Sequence, residues 1–204
     1  MELPPDAGAG PETTGNEDEE QHERLEEDGP RIYVASLSDY NNGILHGAWI
    51  DAAQEVDELQ AQVDEMLARS PTGHAEEFAI HDYEGFGHYS VDEYDSLEWV
   101  SRIARGIGEH GLAFGAWVAR CGRNEQALEG FEDAYLGNWE SVQDYAENLV
   151  GDMGWQDLID RHLPESLQPY VRFDSEAFTR DLELSGDITA VIHADGVWIF
   201  DGTI

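Results

Sequence analysis

Carboxylates crowd together twice in this sequence. The stretch "EEFAIHDYEGFG" sets Glu76, Glu77, Asp82 and Glu84 around Phe78, Tyr83 and Phe86, and "VDEYDSLEW" adds Asp92, Glu93, Asp95 and Glu98 just downstream. Paired carboxylates can do general acid–base work when their surroundings split their pKa values. Left in water, the same groups form a negative surface for a cationic partner. Adjacency alone does not choose between these readings. With 45 Asp and Glu in 204 residues, pairs such as Asp92/Glu93 or Glu132/Asp133 arise almost anywhere.

Other chemistry is weakly framed. No H-E-x-x-H, no cysteine pair and no D-x-[DN]-x-[DN]-G loop is present, so no metal site is assigned. The histidines are scattered: His81 in a candidate strand, His110 at a helix end where its charge would suit the dipole, and His46 and His88 in loops. Cys121 has Arg120 and Arg123 nearby, which could lower its pKa, but a buried or incidental thiol is the simpler reading. There is no G-x-S-x-G, P-loop or G-x-G-x-x-G. Neither a catalytic residue nor a cofactor is assigned.

The charge balance carries more information. Ten arginines and no lysine oppose the 45 acids, for a formal net charge of −35. Such an imbalance repels itself and opposes contact with nucleic acid or anionic membrane, so the partners it suits are cationic. No apolar run approaches the length of a membrane span. The N-terminus lacks the apolar core of a secretory signal, and a single cysteine suits a reducing cytoplasm, the expected location.

The elements that must position the acids follow from periodicity. Residues 1–30 hold eleven acids and almost no large apolar group, a composition that predicts a disordered acidic tail. Thirty-four acids and nine arginines remain from Arg31 onward, a net −25, so the charge belongs to the folded body. "RIYVASL", "AWIDA" and "EFAIHDY" are β-rich, with the turn-forming "SDYNNG" after the first. From Gln54 to Arg69, Val56, Leu59, Val63, Met66 and Leu67 recur at helical spacing. Asp95 with Glu98 is a candidate capping box for a helix to about His110, with Leu97, Val100, Ile103 and Ile107 as its stripe. "LAFGAWVARC" and "NEQALEGFEDAY" are expected as further helices. Ser141 should start another, and "WQDLIDRHL" and "SEAFTRDLEL" follow, the last capped by Asp174 or Ser175. "DITAVIHADGVWIFDG" closes the chain as two strands around a turn. The expected fold is α+β: an elongated chain of three small domains, α+β over 31–91, helical over 92–138 and α+β over 139–204.

Duplex DNA carries roughly one negative charge per 1.7 Å of axis, so 25 charges match about 42 Å of duplex. A compact body of this length has a radius of gyration of about 16 Å and spans roughly 40 Å. One chain thus holds about as much charge per length as the double helix, and a DNA-binding enzyme would meet carboxylates where phosphates normally sit. Adaptation to high salt is the rival explanation, since it also enriches acids and depletes lysine.

In order along the chain, "RIYVASLSDYNNGILHGAWIDA", "EEFAIHDYEGF", "EHGLAFGAWVA", "FEDAYLGNWESVQDYAENL" and "YVRFDSEAFTRDL" resemble segments of the ArdA antirestriction family, over about residues 31–201. The acidic tail lies outside that pattern. The resemblance implies a non-enzymatic DNA mimic, an elongated homodimer that occupies the DNA-binding groove of type I restriction–modification enzymes, on their methyltransferase core, and so protects incoming mobile DNA. It makes Asn41, Asn42, Gly43, Trp49 and Ile50 fold residues, with Tyr135 and Trp139 as packing groups and Gly137 as a helix stop. The surface acids become phosphate surrogates: Asp57, Glu58, Asp64, Glu65, Glu76, Glu77, Asp82, Glu84, Asp92, Glu93, Asp95, Glu98, Glu125, Glu129, Glu132, Asp133, Glu140, Asp144 and Glu147. Dimer contacts are expected in the C-terminal module, from Leu158, Ile159, Leu163, Leu167 and Tyr170. Two alternatives stay open: an acidic module for another basic DNA-binding regulator, and a salt-adapted hydrolase with a carboxylate pair.

Overall fold

The computed structural model describes residues 29–204. The expected acidic tail, apart from Gly29 and Pro30, lies outside the described residues. Those two belong to the body: Pro30 is buried, and its carbonyl accepts the Ala52 N–H at 2.9 Å. The chain divides into two compact units, one running through Gly115 and the other Ala116–Ile204. Each contains a three-stranded antiparallel sheet with helices, an α+β architecture.

In the first unit, β1 (Arg31–Ser36) is the central strand. Its alternate residues Ile32 and Val34 are fully buried, as the period of two demands of a strand packed on one face. A short helix, α1 (Leu37–Asn41), follows where "SDYNNG" predicts a turn. Ser36 Oγ accepts the Asp39 N–H at 3.2 Å, an N-cap that the turn-forming composition conceals. Strand β2 (Gly47–Asp51) pairs with one edge of β1 and places Ile50 opposite Ile32. Helix α2 (Val56–Ala68) buries Leu59, Val63 and Met66, the centre of the expected stripe. Strand β3 (Phe78–Glu84) pairs with the other edge of β1, Ile80 opposite Val34; the register shift there leaves His81 as an extra, exposed residue. Helix α3 (Leu97–His110) buries all four residues of its predicted stripe together with Ser101 and Ala104.

Helix α4 (Leu112–Cys121) contains the point of division. In the second unit, "NEQALEGFEDAY" does not form one helix: α5 (Glu125–Glu129) and α6 (Phe131–Ala134) are separate short pieces with Gly130 between them. Tyr135–Trp139, of which all but Trp139 was expected in the helical part, is strand β4. Gly137 does not stop a helix; it sits inside β4 at φ +113°, where the pairing with β6 slips, a conformation a side chain would strain. Helix α7 (Val142–Asp152) starts at its expected cap, Ser141 Oγ accepting the Asp144 N–H at 3.1 Å. Then come α8 (Trp155–His162), a 3-10 turn (Gln168–Tyr170), and α9 (Ser175–Ser185), capped by Asp174. The hairpin β5 (Ile188–His193) and β6 (Gly196–Asp201) completes a sheet of order β4-β6-β5. Pairing of β4 with β6 places Tyr135–Asn138 with the C-terminal sheet. Phe200 is fully buried against Trp117, Tyr135 and Phe131, with centroids 5.5, 5.7 and 6.3 Å away. Ala146, Leu182, Ile188, Val197 and Ile199 form a second buried cluster.

Candidate interaction surface

Amphipathic folding decides which carboxylates reach water. Helices α2 and α7 bury their apolar stripes, so Asp57, Glu58, Asp64 and Glu65 of the first and Asp144 and Glu147 of the second are turned outward. Glu76, Glu77, Asp82, Asp92, Glu93, Glu98, Glu125, Glu129, Glu132, Asp133 and Glu140 are also exposed. Both units carry the charge. From Arg31 to Gly115 there are 16 acids and four arginines, a net −12; from Ala116 to Ile204 there are 18 and five, a net −13.

Glu84 and Glu65, both expected phosphate surrogates, are compromised by arginine. Arg31 donates from Nε to Glu84 Oε2 at 2.7 Å, and its guanidinium carbon lies 5.0 Å from the centre of the Trp49 ring. Arg69 pairs with Glu65 one turn back along α2. Arg105 binds Glu55 Oε2 at 2.8 Å.

Asp95 is not a surface group. It is buried, and its Oδ2 accepts the Asp92 N–H at 2.8 Å and lies 3.4 Å from the Tyr89 hydroxyl. The expected capping box is corrected with it: α3 is capped by Ser96, whose Oγ accepts the Trp99 N–H at 3.2 Å. Asp95 instead fixes the turn that delivers the chain to that cap. Burial makes it a structural acceptor with no face to offer a partner.

The carboxylates with displaced titration are also structural. At the fully buried Asp39, burial raises the pKa, but hydrogen bonds from Ser70, Ser36 and Thr72 more than offset it and hold the value at about 2. Asp201 is lowered by its bonds from the Thr203 side chain and N–H. A general acid needs a shift the other way. The Cys121 thiol is pushed up by burial against the pull of Arg120, the reverse of nucleophile activation. His46 Nε2 lies 2.8 Å from Met66 O, His81 packs edge-on against Tyr40, and the His110 ring stacks on Phe114. Among the described residues, no three His, Cys, Asp or Glu are grouped to hold a metal ion, and no helix is long and apolar enough to cross a membrane.

Of the residues expected at a dimer contact, Leu158, Leu167 and Tyr170 are exposed and Leu163 is half-buried. Ile159 is buried within the protomer. The expected surrogates stop at Glu147, but the exposed charge continues through Asp152, Asp157, Asp160, Glu165, Glu176, Asp181, Glu183 and Asp187. Asp152, Asp157, Asp160, Glu176, Asp181 and Glu183 lie on α7, α8 and α9, where helical periodicity was the available signal, whereas Glu165 and Asp187 lie outside helices.

A family model described as antirestriction protein (ArdA) matches residues 32–195. The chain belongs to the ArdA family. A comparison with curated proteins returns no match. The matched span of this ArdA protein takes in the first sheet from Ile32 onward, then β4 and β5 but not β6, and the exposed acids named above. The family match therefore covers most of the acidic body.

Proposed function

We propose that this ArdA protein is a non-enzymatic DNA mimic. In this reading, carboxylates exposed on both units stand in for phosphates and enter the DNA-binding groove of the methyltransferase core of a type I restriction–modification enzyme. Lys and Arg that normally grip the duplex would form charge-assisted contacts with them, and the long-range field would speed encounter. Incoming mobile DNA is thereby shielded in the cytoplasm. The protein acts as a homodimer joined through apolar surface near Leu158, Leu167 and Tyr170.

One observation carries the reading within a family of antirestriction proteins: the acids stand outward on both units, net −12 and −13, with few arginines to quench them. The test is competition with fluorescent duplex for a purified type I methyltransferase across a salt series. Displacement that weakens with added salt is expected. A protein that leaves the duplex bound at low salt, and leaves restriction of unmodified phage intact in cells, refutes it.

A further inference from the structure

Three large apolar side chains stand in water within one short stretch of the first unit: Tyr40 at 58%, Ile44 at 37% and Leu45 at 85% exposure. Clustered exposure of this kind marks contact surface more often than isolated exposed leucines do. The backbone that displays it is held at both ends. The N–H groups of Asn42 and Ile44 donate to Asp39 O at 3.0 and 2.9 Å, Gly43 donates to Tyr40 O at 2.9 Å, and Asn42 Nδ2 donates to Ser38 O at 2.8 Å. Gly43 supplies the φ of +75° that closes the turn. The far end is fixed at His46, whose carbonyl accepts the Ser36 N–H at 3.0 Å. The Asp39 carboxylate accepts from Ser70 Oγ at 2.7 Å and the Thr72 N–H at 3.3 Å, so the loop after α2 braces it. Little ordering entropy is left to lose on contact.

The surroundings are acidic. The Tyr40 ring packs edge-on against His81, centroids 4.9 Å apart, next to the exposed Asp82. Leu37 N–H donates to Glu77 O at 3.0 Å, bringing exposed Glu76 and Glu77 alongside. We infer that the Tyr40–Leu45 loop is an apolar anchor for a basic protein partner: Leu45 and Tyr40 enter an aliphatic pocket while the acids around them meet Lys and Arg at its rim. The inference rests on the proposed function and adds a contact that a phosphate backbone cannot make. Such a patch, apolar at its centre and charged at its edge, has the anatomy of a protein interface. A second copy of this chain is the poorer occupant, because it would bring a like-charged rim against these acids.

The test compares wild type, Leu45→Ser and the conservative Leu45→Met as competitors of duplex for the methyltransferase over a salt series. Tyr40→Ser serves as a second, independent variant, and thermal midpoints verify folding. Leu45→Ser should weaken binding about tenfold, as loss of a central anchor does. That factor should be the same at low and high salt, because the lost contact is apolar, and Leu45→Met should bind as wild type does. Wild-type competition with Leu45→Ser and Tyr40→Ser unimpaired overturns the anchor and leaves DNA mimicry standing. Failure of wild type to compete removes mimicry and the anchor together. A changed sedimentation coefficient of free Leu45→Ser overturns the proposal by assigning the loop to self-contact.

Discussion

Neutralising three carboxylates on α2 is the sharpest way to weigh charge against every other contribution. Asp57, Glu58 and Asp64 are exposed, and Asp57→Asn, Glu58→Gln and Asp64→Asn preserve their shapes. An exposed charge contact contributes about 0.2–1 kcal/mol. At roughly 0.5 kcal/mol each, the triple variant loses about 1.5 kcal/mol, close to tenfold in affinity. The fold pays something too. Asp57 and Glu58 lie in the first turn of α2, and the side chain of its cap residue Glu55 makes no hydrogen bond to the N–H groups of that turn. These two acids therefore complement the free N–H groups of that turn, and their loss costs about 0.3–1 kcal/mol apiece. A thermal melt checks that the folded fraction stays near one. Competition with fluorescent duplex for the methyltransferase then gives the affinity. Tenfold weakening at low salt, shrinking as salt rises, is expected. Arg69→Gln supplies the opposite sign: it releases Glu65 and makes the surface more negative by one, so binding should tighten a few-fold. A folded triple variant that binds like wild type, or a loss independent of salt, refutes the reasoning.

Three further predictions concern what holds the display. Asp39 titrates at about 2 when folded, below the 3.8 of a free Asp, so the stability it contributes is complete above about pH 4 and is lost as the pH falls toward 2. Asp39→Asn should lower the melting temperature most at neutral pH, the gap to wild type closing through that window; a gap constant with pH would count against the assignment. Phe200→Ala empties the fully buried centre between Trp117, Tyr135 and Phe131, and urea denaturation should show a loss of about 3–5 kcal/mol. Ser141→Ala removes the cap on α7 and should cost about 1 kcal/mol by the same measurement, with Ser141→Asp restoring it.

The contrast between α2 and β4 explains which parts of the fold were legible. Leu59, Val63 and Met66 recur at the helical period, a signal contained in a few turns of chain, and the helix forms where the spacing places it. "YLGNW" has no alternation of apolar and polar residues and carries a glycine in its interior. It becomes a strand because β6, far downstream, pairs with it and tolerates the slip at Gly137. Non-local pairing leaves no local trace to read. The Asp95–Glu98 spacing likewise fits a capping box, yet burial of Tyr89 and Asp95 hands the cap to Ser96.

The amino-acid sequence alone determined the excess of negative charge, the α+β class, the amphipathic helices and the family resemblance, because composition and short-range periodicity are properties of the chain itself. Tertiary structure decided which carboxylates remain free. It turned Asp57 and Asp144 to water, tied Glu84 to Arg31, and drew Asp39 and Asp95 inside as acceptors. The physical reason is desolvation: an aspartate reads the same in the chain whether it ends in solvent or beside a serine hydroxyl, and only packing of distant segments sets which.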